Sequence, residues 1–182
     1  FIALDAAGRL GQDGAALSTQ SNAIQARSGS DGIYLAEDNG LSALDIHAAG
    51  DNAEVQLTAT RGDVLLGRVQ SDHADVSVVS QDGDILGYAA APFNVRGNHL
   101  TLDADGAIGT AAEALKTEVG SLTTTTGTSL AGTYVANTGL LSSLGVTTLG
   151  GNVAITDQDG GVAFNRADEH LAVRRDSGQG LD

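Results

Sequence analysis

The chain has no cysteine, methionine or tryptophan, a single proline at Pro92, and aromatics at only 3% of its 182 residues. Without cysteine it is no disulfide-stapled module, and backbone hydrogen bonding is left as the main fastener. With so few large aromatic side chains, a compact globular core is hard to build. The interior must instead be stacked Leu, Val, Ile and Ala, which suits a narrow, repetitive core. No apolar run approaches the ~18 residues of a membrane-spanning helix, so no membrane insertion is expected. Basic residues are scarce, 9 against 23 acids, for a formal charge of −14. That balance repels nucleic acid and anionic membranes. It suits an acidic extracellular surface able to collect Ca²⁺. No signal peptide opens the chain, because Phe1 already sits inside a repeat, and a segment of a longer polypeptide is expected.

What is present is apolar alternation and glycine. Hydrophobic residues make up 41% of the chain, which argues against disorder, and there are 25 glycines. Glycine is expected to supply positive-φ corners. The recurrent unit is clearest in Leu100-Thr-Leu-Asp-Ala-Asp-Gly-Ala-Ile-Gly109. Two alternating apolar residues lead into a polar turn, then one more apolar residue and a closing Gly. Ile2 to Gly11 repeats it. Val55-Gln-Leu57 with Gly62-Asp-Val64, Val76-Ser-Val78 with Gly83-Asp-Ile85, and Val153-Ala-Ile155 with Gly160-Gly-Val162 are variations. Val55 to Val76 and Val64 to Ile85 are both 21 residues apart, about one coil of a parallel β-helix. Glu37-Asp-Asn-Gly40 reads as a turn with positive φ at Asn39 and Gly40. Ala89 to Phe93, interrupted by Pro92, reads as a loop.

A longer period lies over the shorter one. Leu4, Asp5, Gly8, Gly11, Leu17 and Thr19 match Leu102, Asp103, Gly106, Gly109, Leu115 and Thr117 at a spacing of 98. Tyr34 matches Tyr134 at 100, and Val55, Gly62 and Arg68 match Val153, Gly160 and Arg166 at 98. His170 falls near the place of His73. One β-solenoid spanning 1–182 is therefore expected, with repeat units of about 1–98 and 99–182, the second incomplete.

Short β-branched strands without sustained 3.6-residue periodicity exclude a helical array. A β-sandwich needs hairpin turns every 8–12 residues and no long repeat. Left-handed β-helices use strict hexapeptides, which are absent. The fold expected is all-β, a right-handed parallel β-helix of roughly 7–8 coils, about 35–40 Å long at ~4.8 Å per coil.

The form apolar-x-apolar-x-Ala-x-Gly-x-Ile/Leu-Gly, followed by Leu-x-Thr, is carried by Ile2 to Gly11, Leu17 to Thr19, Gly32 to Leu41, Leu100 to Gly109, Leu115 to Thr117 and Gly132 to Leu140. It resembles the β-helical shafts of the filamentous haemagglutinin family of bacterial exoproteins. The resemblance implies a secreted, cell-surface rod that holds a distal adhesive or toxic tip away from the cell. It also implies partners in neighbouring β-helical segments and in surface glycans or proteins.

Candidate sites are few. Arg61-Gly62-Asp63 spells an adhesive tripeptide, in a position where related coils carry an ordinary Gly-Asp turn. Asp82/Asp84, Asp103/Asp105 and Asp157/Asp159 pair carboxylates two apart, a spacing able to share Ca²⁺, although no complete Ca²⁺ loop is spelled out. Turn-forming Asp accounts for these pairs as well. A polysaccharide-cleaving β-helix would need clustered Asp and Arg, and Asp72, Asp75, Asp82 and Asp84 flank His73 with Arg61 and Arg68 near in sequence. Little aromatic surface is present to stack sugar rings. His47, His73, His99 and His170 show no metal-ligand spacing. No phosphate loop or nucleophile triad is present. The expected role is non-enzymatic and cofactor-free. Thr123 to Thr126 are expected to point alternately in and out.

Overall fold

The computed structural model describes residues 1–158 and the backbone of the strand at 171–175. Asp159, Gly160, Arg166 and His170 lie outside the described residues. Within them there is no helix. Fifteen strands run β1(Ile2–Ala6), β2(Leu17–Thr19), β3(Ile24–Ser28), β4(Ile33–Glu37), β5(Leu41–Ala48), β6(Val55–Ala59), β7(Val64–Ser71), β8(Val76–Ser80), β9(Ile85–Gly87), β10(Val95–Ala104), β11(Leu115–Thr126), β12(Thr133–Asn137), β13(Ser143–Thr148), β14(Val153–Asp157) and β15(Leu171–Arg175). Every pair of these strands is parallel, so the chain winds as a β-solenoid.

Three columns of stacked residues define the winding. The first runs Leu4, Ala26, Ile46, Val69, Val95, Thr117, Asn137, Asp157, which is seven turns. The second runs Leu17, Leu35, Leu57, Val78, Leu102, Thr124, Val146. The third runs Leu41, Val64, Ile85, Ile108, Thr133, Val153, Leu171. Turns vary from 18 residues (Leu17 to Leu35) to 26 (Val69 to Val95), the longest one carrying the loop at 88–94. The 21-residue spacing is one turn in register: Val55 pairs with Val76, and Val64 with Ile85.

Strand alternation puts one side chain in and the next out, and the buried set follows from it. Leu35, Leu57, Val78 and Leu102 are no more than 1% exposed, and Leu, Ile, Val and Ala fill most of the interior. Leu4 is partly buried and packs against this core. Thr124 and Thr126 point in, while Thr123 and Thr125 point out.

The 98-residue period does not equal a whole number of turns. Leu4 to Val95 takes four turns, and seven more residues carry the chain round a corner to Leu102 on the second column. The second copy is thus stepped round the axis by one column. Its local construction is retained. Leu10 bridges to Ile33 and Ile108 to Thr133. Gly11 and Gly109 have φ of 70° and 63° and open equivalent excursions at 11–16 and 109–114. A Cβ at Gly11 would lie 2.4 Å from the Tyr34 carbonyl oxygen, and one at Gly109 2.3 Å from that of Tyr134.

Two turn expectations need correction. Neither Asn39 nor Gly40 has positive φ, and Glu37 ends strand β4 instead of opening the turn. A solenoid corner deflects the chain without reversing it, so the hairpin geometry of Asn-Gly is not required. Most of the described glycines also lie outside the positive-φ region. Gly67 illustrates the other use: a Cβ there would stand 2.4 Å from the Leu44 carbonyl oxygen of the turn below.

Candidate functional site

In a stacked coil a residue's neighbours are those one turn away, about 20–25 positions along the chain. Sequence-adjacent polar residues are therefore drawn apart, each by its own partner. Arg61 donates to the Asp38 carboxylate at 2.7 Å and, through Nε, to the Asp38 carbonyl at 3.1 Å. Gly62 turns the corner with φ of 76°. Asp63 Oδ1 accepts the Asp84 amide at 2.8 Å, and Asp84 Oδ1 accepts the Ala107 amide at 2.6 Å. Arg61-Gly62-Asp63 is thus built into a corner stitched from turn to turn, with Asp63 holding the coil above.

Asp82/Asp84 and Asp103/Asp105, the two pairs with both members described, join no group of three able to hold a metal ion. Asp82 and Asp84 lie at that same corner, and Asp103 projects from the outer side of β10, with Asp105 just beyond the strand. Asp157 is fully buried at the end of β14, in the inward column above Asn137. Among the described residues no three His, Asp or Glu are grouped to hold a metal ion. The His73 neighbourhood also separates. Asp72 meets His47 Nε2 at 3.0 Å and Gln70 Nε2 at 2.5 Å, Asp75 accepts the His99 amide at 3.2 Å, and His73 faces Asp51 at 3.6 Å. Partial burial alone would raise the Asp72 pKa, but the hydrogen bonds from Gln70 and His47, with the nearby imidazoles, bring it below the ordinary carboxylate value.

Charge is unevenly placed. The outward row above the first column runs Asp5, Arg27, His47, Gln70, Arg96, Glu118. Arg27 and Arg68 both pair with Asp45, at 3.0 Å each, and Arg96 pairs with Glu118. The outward row above the second column runs Ser18, Ala36, Thr58, Val79, Asp103, Thr125, Thr147, with one charge.

Three polar residues escaped the sequence reading. Glu37 is 1% exposed; its carboxylate accepts Thr19 Oγ1 at 2.5 Å and the Ser21 amide at 2.9 Å. Asn137 repeats the device one hundred residues on, accepting Thr117 Oγ1 at 2.9 Å and the Val119 amide at 3.1 Å. The spacing of Tyr34 to Tyr134 was the available signal. Asn94 anchors the 88–94 loop. Its side-chain amide donates to the carbonyls of Leu66, Gly67 and Tyr88, while its oxygen accepts the Lys116 amide at 2.9 Å.

That loop stands over β5 and β7 and forms a groove of about 410 Å³ lined by Leu44, Asp45, Gly67, Arg68, Tyr88, Ala91 and Pro92. Tyr88 is 39% exposed, with its hydroxyl 3.4 Å from Ser42 Oγ. A second groove of about 440 Å³, lined by Ser18, Thr19, Gln20, Ala36, Glu37, Asp38 and Thr60, opens over the buried Glu37. Compared with family models, with characterised proteins and with solved structures, the chain matches none.

Proposed function

We propose that this chain is a non-enzymatic, structural or adhesive segment of an extracellular rod, similar in role to the shafts of filamentous haemagglutinin-like exoproteins. The observation that carries this reading is the seven-turn parallel ladder with its aliphatic interior. Each turn fastens to the next through backbone hydrogen bonds, so length is added turn by turn at ~4.8 Å without a new core. The acidic composition suits a solvated surface outside the cell. Its partners are further β-helical turns.

The first turn supports that choice of partner. Among the described residues, β1 pairs only with β3, and β2 only with β4. Ile2, Leu4 and Leu10 are partly exposed where their counterparts in later turns are buried, and Leu17 is 38% exposed. A free strand edge beside partly uncovered apolar side chains accepts another turn by strand addition. Sedimentation velocity over about a hundredfold concentration range tests this. The expected result is concentration-dependent end-to-end association, weakened by Leu4→Lys and unchanged by a chelator. A strict monomer throughout would count against stacking as the mode of assembly, and dissociation by chelator would make the segment a Ca²⁺-dependent adhesive module instead.

A further inference from the structure

We propose that the groove between the 88–92 loop and strands β5 and β7 binds a carboxylated sugar unit of an acidic polysaccharide. The groove is a constructed feature. Its roof is the longest departure from the coil, and four separate fastenings hold it. Asn94, 1% exposed, ties it to the Leu66 and Gly67 carbonyls beneath and to Tyr88. Lys116 Nζ donates to the Ala89 and Ala91 carbonyls at 2.5 and 3.0 Å. The Tyr88 amide donates to the Leu66 carbonyl at 2.8 Å. Phe93 is buried beneath the Arg96 guanidinium, 4.2 Å from its ring centre. A loop held this way presents Tyr88 and Pro92 without an ordering cost on binding.

The chemistry of the lining selects the ligand. Tyr88 offers a partly exposed aromatic ring beside Pro92, the surface on which the C–H face of a sugar packs. Opposite lies Arg68. Its Nε and one terminal nitrogen bind Asp45 at 3.0 Å, while its side chain remains 47% exposed. Asp45 is shared with Arg27, so two guanidinium groups neutralise one carboxylate. Lys116, bonded to the groove's own loop, has no carboxylate within ion-pair distance among the described residues. The groups in and directly bonded to the groove therefore carry three positive charges against the single negative charge of Asp45. Of the flanking pairs, Arg96–Glu118 cancels, and Asp72 beside a neutral His47 adds one negative charge, which leaves the local balance positive. In a chain with net charge −14 this is a local reversal of sign. Arg68 supplies the planar, charge-assisted donors that suit a carboxylate. The Ser42 and Tyr88 hydroxyls are placed for the ring hydroxyls.

Trigalacturonate, with its methyl ester as the uncharged match, is the probe. Binding is followed by calorimetry and by ligand-observed NMR, with EDTA present so that no bridging cation contributes. The acid should bind saturably and the ester roughly tenfold more weakly. Tyr88→Ala and Arg68→Gln should each weaken the acid roughly tenfold, while Tyr34→Ala on the second column should not. Tyr88→Ala keeps the backbone hydrogen bonds that anchor the loop at this residue and removes the ring with its 3.4 Å contact to Ser42 Oγ. Equal binding of acid and ester overturns the assignment, as does undiminished binding in both groove variants, or no saturable binding in the wild-type chain. None of these outcomes bears on rod assembly, which the sedimentation experiment reads separately.

Discussion

Thr124 and Thr117 carry the same side chain into the same interior, yet replacing each by valine should shift stability in opposite directions. Thr124 is fully buried, stacked between Leu102 and Val146, and its Oγ1 has no hydrogen-bond partner. A buried hydroxyl without a partner costs about 1–3 kcal/mol of desolvation. Valine replaces it with a methyl of nearly the same volume and burial adds up to ~0.8 kcal/mol. Both residues are β-branched and suit a strand, so backbone preference is nearly unchanged. Thr124→Val should therefore stabilise by about 1–2 kcal/mol, or roughly 3–6 °C in Tm for a chain of this size. Thr117 is also buried, but its Oγ1 donates to Asn137 Oδ1 at 2.9 Å. Its loss leaves the Asn137 oxygen with the Val119 amide alone, and Thr117→Val should destabilise by about 1 kcal/mol. Thermal and urea unfolding followed by far-UV circular dichroism, with equal urea m-values required for comparison, reads both. A lower Tm for Thr124→Val would refute the reasoning. So would a shift of both variants in the same direction, since side-chain hydrophobicity and not hydroxyl pairing would then govern the interior.

Two further predictions follow from backbone geometry and from charge. Gly109→Ala combines a left-handed φ with a Cβ 2.3 Å from the Tyr134 carbonyl oxygen, whereas a Cβ added at Gly139, with φ of 100°, would meet no atom within 4 Å. Gly109→Ala should cost about 3 kcal/mol or more and Gly139→Ala about 1 kcal/mol, read by the same melts; similar losses at both sites would contradict the close turn-to-turn contact. The depressed Asp72 pKa means that the unfolded chain takes up this proton first as pH falls. Its contribution is therefore present above the ordinary carboxylate pKa of about 4 and lost as pH drops through the lower folded value. Asp72→Asn should lower stability at neutral pH and flatten the decline below about pH 4, and a Tm–pH curve parallel to wild type would remove the argument.

The winding was legible because a parallel ladder forces equivalent residues to recur at one turn's length, as Val55–Val76 and Val64–Ile85 do. The inward and outward alternation of Thr123 to Thr126 was legible for the same reason. The sites were not. Arg61, Asp63 and Asp84 look like a recognition motif and an acidic cluster along the chain, but their partners are Asp38, the Asp84 amide and the Ala107 amide, 21 to 23 residues away. Glu37 and Asn94 look like ordinary turn polar residues until the adjacent turns close over them. Asn94, Tyr88 and Lys116 bear on the groove only because one long excursion folds back over β5 and β7.

By itself, then, the sequence determined that strands stack in parallel, that the interior is a thin aliphatic column, and that a 98-residue pattern repeats. Those properties depend on local alternation and on spacing, which are written along one dimension. Only the tertiary structure decided that 98 residues make four turns and one corner, so that the second copy faces a different way from the first. It alone decided which polar side chains meet, because contact in a solenoid is set by the length of each turn, and turns of 18 to 26 residues shift those meetings one by one.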